Sequence, residues 1–352
     1  MARILVTGAS GFVAGYVIHE LLARGHSVTG LDNLSKYGEV SRAYDDHPGY
    51  TPVVGNAADS ALLAELLAGC DHFLANAAMI GGVAYMNELP YDILAENNRL
   101  VSAACDAAIR ERQNGGRLRK VTYVSSSMVF EERGNAVSRE GDELRIPPPA
   151  TTYGFQKLAV EYYARAALRQ YGLPYTIVRP FNCVGAGELR SVHEKDLPAR
   201  NERLVRGHVV PDFVERALKR SNPFHILGNG QQIRPFTYAG DTAKGIVLAM
   251  EHPAALNKDF NLSTSGGLTI EDLARRIWEK VNPGVPISIS YTDSYPDDVG
   301  YRMTETGKAR ELLGFKATTS LDTMLDEVIS WVRHSLLSGD VPAVAADGRA
   351  GR

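Results

Sequence analysis

The sequence predicts an α/β fold, a doubly wound parallel sheet followed by a smaller C-terminal α/β lobe. Three observations lead there. Short apolar runs alternate with helical patterns through the first half of the chain. A glycine-rich turn joins the first run to the first helical pattern, and beyond Pro180 shorter runs and helices are interleaved with charged loops. Strand–helix–strand alternation gives a parallel sheet covered on both faces. Right-handed crossovers make it doubly wound.

In chain order, the strand-like runs are residues 3–7, 27–31, 51–54, 72–75 and 120–125, with helical patterns at 12–23, 60–67 and 87–112. A second helix–strand unit follows, with a helix from Tyr153 through Arg169 and a strand at 174–178. Residues 188–207 are charged and read as a loop, and 211–219 as a helix. Short strands at 224–227, 260–262 and 287–291 then alternate with helices near 242–251, 270–281 and 320–336. This gives a cofactor-type half over 1–180, with later returns to its sheet near 225–262, and a mainly substrate-binding lobe over 181–337. The tail 338–352 is rich in Gly, Ala and Asp and is expected to be disordered. No internal repeat is visible.

With 352 residues the chain can bury a large core, and its 44% hydrophobic and 22% charged content is that of a soluble globular protein. A net charge of -3 provides no electrostatic case for nucleic acid or an anionic membrane. No uninterrupted apolar segment approaches the about 18 residues of a membrane span, and the N-terminus lacks the pattern of a signal peptide. Cys70, Cys105 and Cys183 form neither a disulfide framework nor a metal-ligand spacing, so no metal is expected. A sparse, odd cysteine count fits a reducing cytoplasm.

The stretch from Ile4 to Gly15, ILVTGASGFVAG, joins a buried strand to an amphipathic helix. Gly8 permits the sharp turn, Gly11 lets the backbone approach a pyrophosphate, and the small Ala14 allows close helix–sheet packing. Free N–H groups and the helix dipole then favour phosphates, which is the Rossmann arrangement for a dinucleotide. Asp32 closes the second strand 21 residues after Gly11. A carboxylate there accepts hydrogen bonds from the adenosine ribose and repels a 2′-phosphate, selecting NAD over NADP. The alternative reading is a turn aspartate in LDNLS.

Tyr153 and Lys157 form Y-x-x-x-K at the start of a helix. Residues four apart share a face, so the ammonium can lie near the phenol and favour a phenolate from a group of ordinary pKa ~10. Alone, that spacing is a weak signal. It gains weight from Val121–Met128, a strand running into the cluster Ser125-Ser126-Ser127 at the carboxyl edge, where such sheets bind ligands. A serine hydroxyl there can meet a substrate alcohol or ketone beside the tyrosine. A plain serine-rich turn is the alternative.

At this point the motifs TGASGFVAG, LDNLS, NAAMIGG, ENN, SSSMVF, YGFQK, RPFNCVG, RPFTYAGD and GYRMTETGKARELLGF are all in view. Together they resemble the NAD-dependent epimerase/dehydratase family of extended short-chain dehydrogenases, most of which act on nucleotide sugars. The resemblance implies that Gly8, Gly11, Phe12 and Val13 cradle the pyrophosphate, Asp32 and Asn33 the ribose, and that Asn56 and Ala57 flank the adenine. Ala77, Asn97 and Lys157 would line the nicotinamide side. Ser126 and Tyr153 would meet the reacting hydroxyl, with Ser127 beside them. Asn182 would contact substrate, Val209 would pack on the nucleotide base, and Arg234 and Arg302 would hold the diphosphate, a task suited to planar guanidinium groups. A surface salt bridge is the alternative for each arginine. Two positions depart from the family pattern. Asn56 stands where an Asp is usual, and Phe130 where a Tyr is usual.

The same resemblance narrows the reaction. Dehydratases of the family place an Asp-Glu pair where this chain has Ser127 and Met128. Decarboxylases usually place Glu, and 3,5-epimerases Cys, at the Met128 position. C4 epimerisation through a 4-keto sugar needs neither. The stretches AAMIGG and GHVVP also resemble GDP-sugar epimerases and synthases, in which Cys183 and His208 would be asked to exchange protons. The other readings are a 3,5-epimerase, dehydratase or decarboxylase and, from another class, a non-catalytic NAD(P) sensor. Family members often dimerise through two long helices, here 87–112 and 153–170, so a homodimer is expected from the resemblance.

Overall fold

The computed structural model describes residues 1–188, 208–294 and 298–338. The loop expected at 188–207 and the tail expected at 338–352 therefore fall almost wholly outside the described residues. The first half holds β1 (Arg3–Thr7), α1 (Phe12–Ala23), β2 (Ser27–Asp32), β3 (Tyr50–Val54), α2 (Ser60–Leu67), β4 (His72–Ala75), α3 (Val83–Glu88), α4 (Pro90–Gln113), β5 (Lys120–Val124), α5 (Thr152–Tyr171) and β6 (Tyr175–Pro180). The second half holds β7 (Cys183–Val184), α6 (Val209–Leu218), β8 (Phe224–Leu227), β9 (Ile233–Arg234), β10 (Thr237–Tyr238), α7 (Ala239–Glu251) and β11 (Lys258–Leu262). It ends with β12 (Leu268–Thr269), α8 (Ile270–Val281), β13 (Ile289–Thr292), α9 (Gly307–Leu313) and α10 (Leu321–Ser338).

Seven parallel strands make the main sheet, in the order β11-β6-β5-β4-β1-β2-β3. The chain runs outward from β1 through β2 to β3, then returns to β4 on the other side. The crevice beyond β1 and β4 is thus the topological switch point. Of the returns expected near 225–262, only β11 joins this sheet. Residues 224–227, as β8, pair instead with β13 in a separate two-stranded sheet. The two-residue strands β7, β9, β10 and β12 are too short to leave a periodic signal in sequence.

Strand alternation sorts the core onto the two faces. Ile4, Val6 and Val28 pack with Ile18 and Leu21 of α1 and Ile246 and Val247 of α7. Leu5, Phe73 and Val121 face the other way, towards Leu63 of α2, Ala104 of α4 and Ala164 of α5. A third core, with Phe213, Phe224, Trp278, Leu325 and Trp331, holds the second half together. Among the described residues no helix is long and apolar enough to cross a membrane.

The helix expected over 87–112 is two helices that meet at Leu89 and Pro90. Proline lacks an N–H and disfavours helical geometry in the residue before it, and Leu89 accordingly sits at φ -123° and ψ 44°. Pro90 then serves as the first residue of α4, where its missing donor does no harm.

Between α5 and β6 lies a charged cluster within the core. Arg179 is fully buried, and its guanidinium donates to both oxygens of Glu161 at 2.6 and 2.7 Å. It also pairs with Glu143 at 3.0 Å and Asp259 at 2.8 Å. Arg165 reaches Glu143 and Glu161 from the outer side. Removing the central cation would strand buried carboxylates, which costs about 3–5 kcal/mol. Arg179→Met is expected to lower unfolding free energy by that amount in urea titration. A loss under about 1 kcal/mol would show that the cluster is not a structural anchor.

Candidate active site

The glycine turn is shaped by the sheet beneath it. Gly8 has φ +71°, and a Cβ there would stand 2.9 Å from Ala77 Cα, so the ends of β1 and β4 approach closely only because this residue is glycine. Helix α1 begins at Gly11 with no side chain capping its first amides. Those N–H groups and the helix dipole are left for an anion. Asp32 accepts from the Ser10 amide at 3.0 Å and the Leu34 amide at 2.7 Å, which fixes its carboxylate at the rim of the turn. Arg42 braces the turn from behind by donating to the Ser10 carbonyl at 2.8 Å.

A cavity of about 670 Å³ runs from this turn across the carboxyl ends of the strands into the second half of the chain. Gly8, Gly11, Phe12, Val13, Asp32, Asn33, Asn56, Ala57 and Ala77 line one end. Ser126, Ser127, Tyr153, Lys157 and Asn182 line the middle, and Val209, Arg234 and Arg302 the far end. Asn97 alone among the expected site residues does not line it. Its side chain is turned to the wall loop, accepting from the Met79 amide at 2.6 Å and donating to the Met79 carbonyl at 3.0 Å.

Thr151 caps α5 by accepting from the Gly154 amide, and it is itself held by the carboxylate of Glu131, at 2.6 Å from its hydroxyl. This fixes the turn that carries Tyr153. The Tyr153 phenol is buried, which pushes it up to about 12, while a hydrogen bond with Ser126 and the positive charge of Arg302 act in the opposite direction. Lys157 lies with its ammonium 5.8 Å from the Tyr153 ring centre and donates to the Val124 carbonyl at 3.0 Å. Burial lowers it to about 8. Ser126 caps the following 3-10 turn by accepting from the Met128 amide. The arrangement brings a phenol, a hydroxyl and two cations together in a desolvated pocket, as proton transfer to and from an alcohol requires.

The two distal arginines differ. Arg234 pairs with Asp298 at 3.0 Å. The Arg302 main chain donates to the Ile233 carbonyl at 3.1 Å, but its guanidinium makes no hydrogen bond or ion pair among the described residues, and burial, then the charge of Arg234, bring it down to about 9. A cation so placed favours an anionic ligand group. Asn182 adopts φ 42°, and its side-chain oxygen is buried without a partner among the described residues. Cys183 is kept a neutral thiol, pushed up to about 12 by burial, and His208 is paired with Glu188. Phe130, where the family pattern has Tyr, packs on Phe181 and under the Arg179 guanidinium.

Sequence reasoning missed Glu131, Asp298 and Met86, and it quoted Met79 and Ile80 only as part of the motif NAAMIGG, with no place in the site. Glu131 and Asp298 carry no local pattern, because each acts through a neighbour far away in sequence.

A family model described as the NAD dependent epimerase/dehydratase family matches residues 4–263. The chain belongs to that family. Among curated members, it is 26% identical to a UDP-N-acetyl-alpha-D-glucosaminuronate decarboxylase of Bacillus cytotoxicus, over 94% of this chain and 98% of that protein. It is equally 26% identical to a UDP-glucose 4-epimerase of Halalkalibacterium halodurans, over 93% and 95%. Among solved structures it superposes on a UDP-glucose 4-epimerase of Thermotoga maritima with a TM-score of 0.78 and 25% identity, covering 95% and 99% of the two chains. NAD is the family's cofactor, and the glycine turn, the uncapped α1 and the fixed Asp32 carboxylate fit it.

The pH behaviour of Lys157 follows from its burial. A depressed lysine is charged below its folded value and neutral above it. Activity that needs the cation is therefore expected below about pH 8 and lost as pH rises through it. Lys157→Arg, with a cation that stays charged, is expected to keep its reduced activity flat beyond pH 9. A limb that stays near pH 8 in the variant would assign the titration to another group.

Proposed function

We propose that the protein is a nucleotide-sugar 4-epimerase. The observation that carries this reading is the pairing of Ser126, Tyr153 and Lys157 in one cavity with Ser127 and Met128 at the neighbouring positions. Bound NAD supplies a hydride acceptor and donor. Tyr153 takes the proton of the sugar hydroxyl, Ser126 holds its oxygen, and Lys157 stabilises the phenolate. The resulting 4-keto sugar turns in the cavity, and Tyr153 returns the proton once the opposite face is presented. Elimination or a second epimerisation would need an acid or base beside C5, and Met128 cannot carry a proton.

Arg234, Arg302 and Asn182 are the residues proposed to hold the diphosphate and sugar, with Val209 against the base. The decarboxylase relative keeps a second reading open, favoured by one observation. The unpaired guanidinium of Arg302, close enough to act on the Tyr153 phenol, could receive a sugar carboxylate. Incubating the protein with UDP-, dTDP- and GDP-sugars without added NAD separates the readings by mass and proton NMR. Unchanged mass with an inverted C4 signal is expected, reduced at least 100-fold in Tyr153→Phe. Loss of carbon dioxide or water would replace the epimerase reading with the corresponding lyase, and NAD binding without any turnover would leave the sensor.

A homodimer and a cytoplasmic location are also proposed. Tyr91 on α4 and Phe155, Tyr162 and Tyr163 on α5 are exposed aromatics on two helices that lie together on one side of the sheet, an outer face suited to a second copy. All three cysteines are free, which suits a reducing compartment. Sedimentation equilibrium is expected to give twice the chain mass for the native protein and a monomer for Tyr162→Glu; a monomeric native protein would end the dimer proposal.

A further inference from the structure

The cavity wall beside Tyr153 carries an unusual composition. Met79, Ile80, Met86 and Met128 pack around Tyr85 and Tyr153 and line the cavity there. Three of the chain's seven methionines are thus gathered at one place. Their side chains present only carbon and sulfur. The backbone is also closed to a ligand at Met79, because its N–H and its carbonyl are both engaged by Asn97. Asn97 therefore occupies the main-chain polar groups of this one wall residue. The polar side chains that line the cavity beside this wall are those of Tyr85, Asn87, Ser126, Ser127, Tyr153 and Asn182.

A hydroxyl or carboxylate laid on such a wall loses its water and gains no partner. A methyl group gains burial and contact with thioethers that adapt to its shape. We propose that this wall selects a nucleotide sugar carrying a methyl-bearing substituent. The shared chemistry is the methyl group, whether it is C6 of a 6-deoxy sugar or the end of an acetamido group. The inference rests on the reading of a nucleotide-sugar substrate but goes beyond it, since neither Ser126, Tyr153 nor Lys157 distinguishes these sugars.

The test compares pairs that share a nucleotide: dTDP-6-deoxyglucose with dTDP-glucose, GDP-6-deoxymannose with GDP-mannose, and UDP-N-acetylglucosamine with UDP-glucose. For at least one pair, kcat/KM is expected to favour the methyl-bearing sugar tenfold or more, within the range that one apolar group supplies in a fitted pocket. A preference in the first two pairs identifies the C6 methyl, and in the third the acetamido group, whose methyl is implicated when Met86→Gln removes the preference. Met86→Gln is expected to bring the ratio below threefold with NAD content unchanged. A preference below tenfold in all three pairs overturns the inference while leaving the epimerase reading intact. If none is turned over, the dissociation constants of the same six compounds for Tyr153→Phe decide by the same ratio. Binding of none of the six overturns both.

Discussion

A single guanidinium buried in the core sets the geometry on which the site depends. Arg179 comes from β6, the strand just before the cavity-lining Asn182 and Cys183, and Glu161 from the same helix face as Tyr153 and Lys157. Their two-point ion pair fixes the rotation of α5 against β6. Ser125 then donates to Glu161 at 2.8 Å, which ties the serine turn to the same carboxylate. Tyr153 and Ser126 therefore meet because both of their supports are fastened to one point beneath them. Burying these charges is expensive, and the cluster is tolerable only because each carboxylate has several donors. What it provides is registration between a strand end and a helix to within hydrogen-bond reach.

From that anchor outward the cavity changes character. Near the glycine turn the cavity offers uncapped backbone amides and one fixed carboxylate, groups that fit a dinucleotide by shape and charge. In the middle, burial raises the phenol and lowers the ammonium, so neither Tyr153 nor Lys157 has its solution behaviour. The second half adds Arg234, already neutralised by Asp298, and Arg302, which is not neutralised by any ion pair among the described residues. An anionic ligand there would relieve the desolvated charge on Arg302 and, by partly cancelling it, would also weaken its pull on the phenol. Binding of an anion at Arg302 would in this way couple to the proton affinity of Tyr153 through one side chain.

How much of this was legible depended on distance along the chain. The glycine turn, Asp32 and the Tyr153–Lys157 pair are local patterns, each complete within a few residues or one strand–helix–strand unit, and all but Asn97 of the site residues drawn from such motifs line the cavity. Asn97 shows the ambiguity of a single residue: an asparagine in a helix facing the sheet can serve a neighbouring loop as readily as a ligand, and here its side chain holds the Met79 main chain. The break at Pro90 was written in the sequence and outweighed by the apolar periodicity on either side. The contact of Arg302 with the field of Tyr153 was not legible, since it requires the second half of the chain to fold over the first. Nor was the methionine wall, whose members lie between residues 79 and 128 and come together only when the loops after β4 and β5 meet at the helix that carries Tyr153. The Glu131 carboxylate that holds Thr151 has no motif because its partner is 20 residues away.

The central claim is that the residues around Tyr153 move one proton on the C4 oxygen and none at the neighbouring carbons. A nucleotide sugar carrying deuterium at C4, drawn from whichever compound the enzyme turns over, tests this directly in ordinary water. The account predicts that both epimers keep deuterium at C4 and acquire no solvent hydrogen on carbon, when followed to equilibrium by proton NMR. Hydrogen from solvent appearing at C3 or C5 would contradict it. That result would mean that an acid–base pair operates beside the ketone where this structure offers Met128.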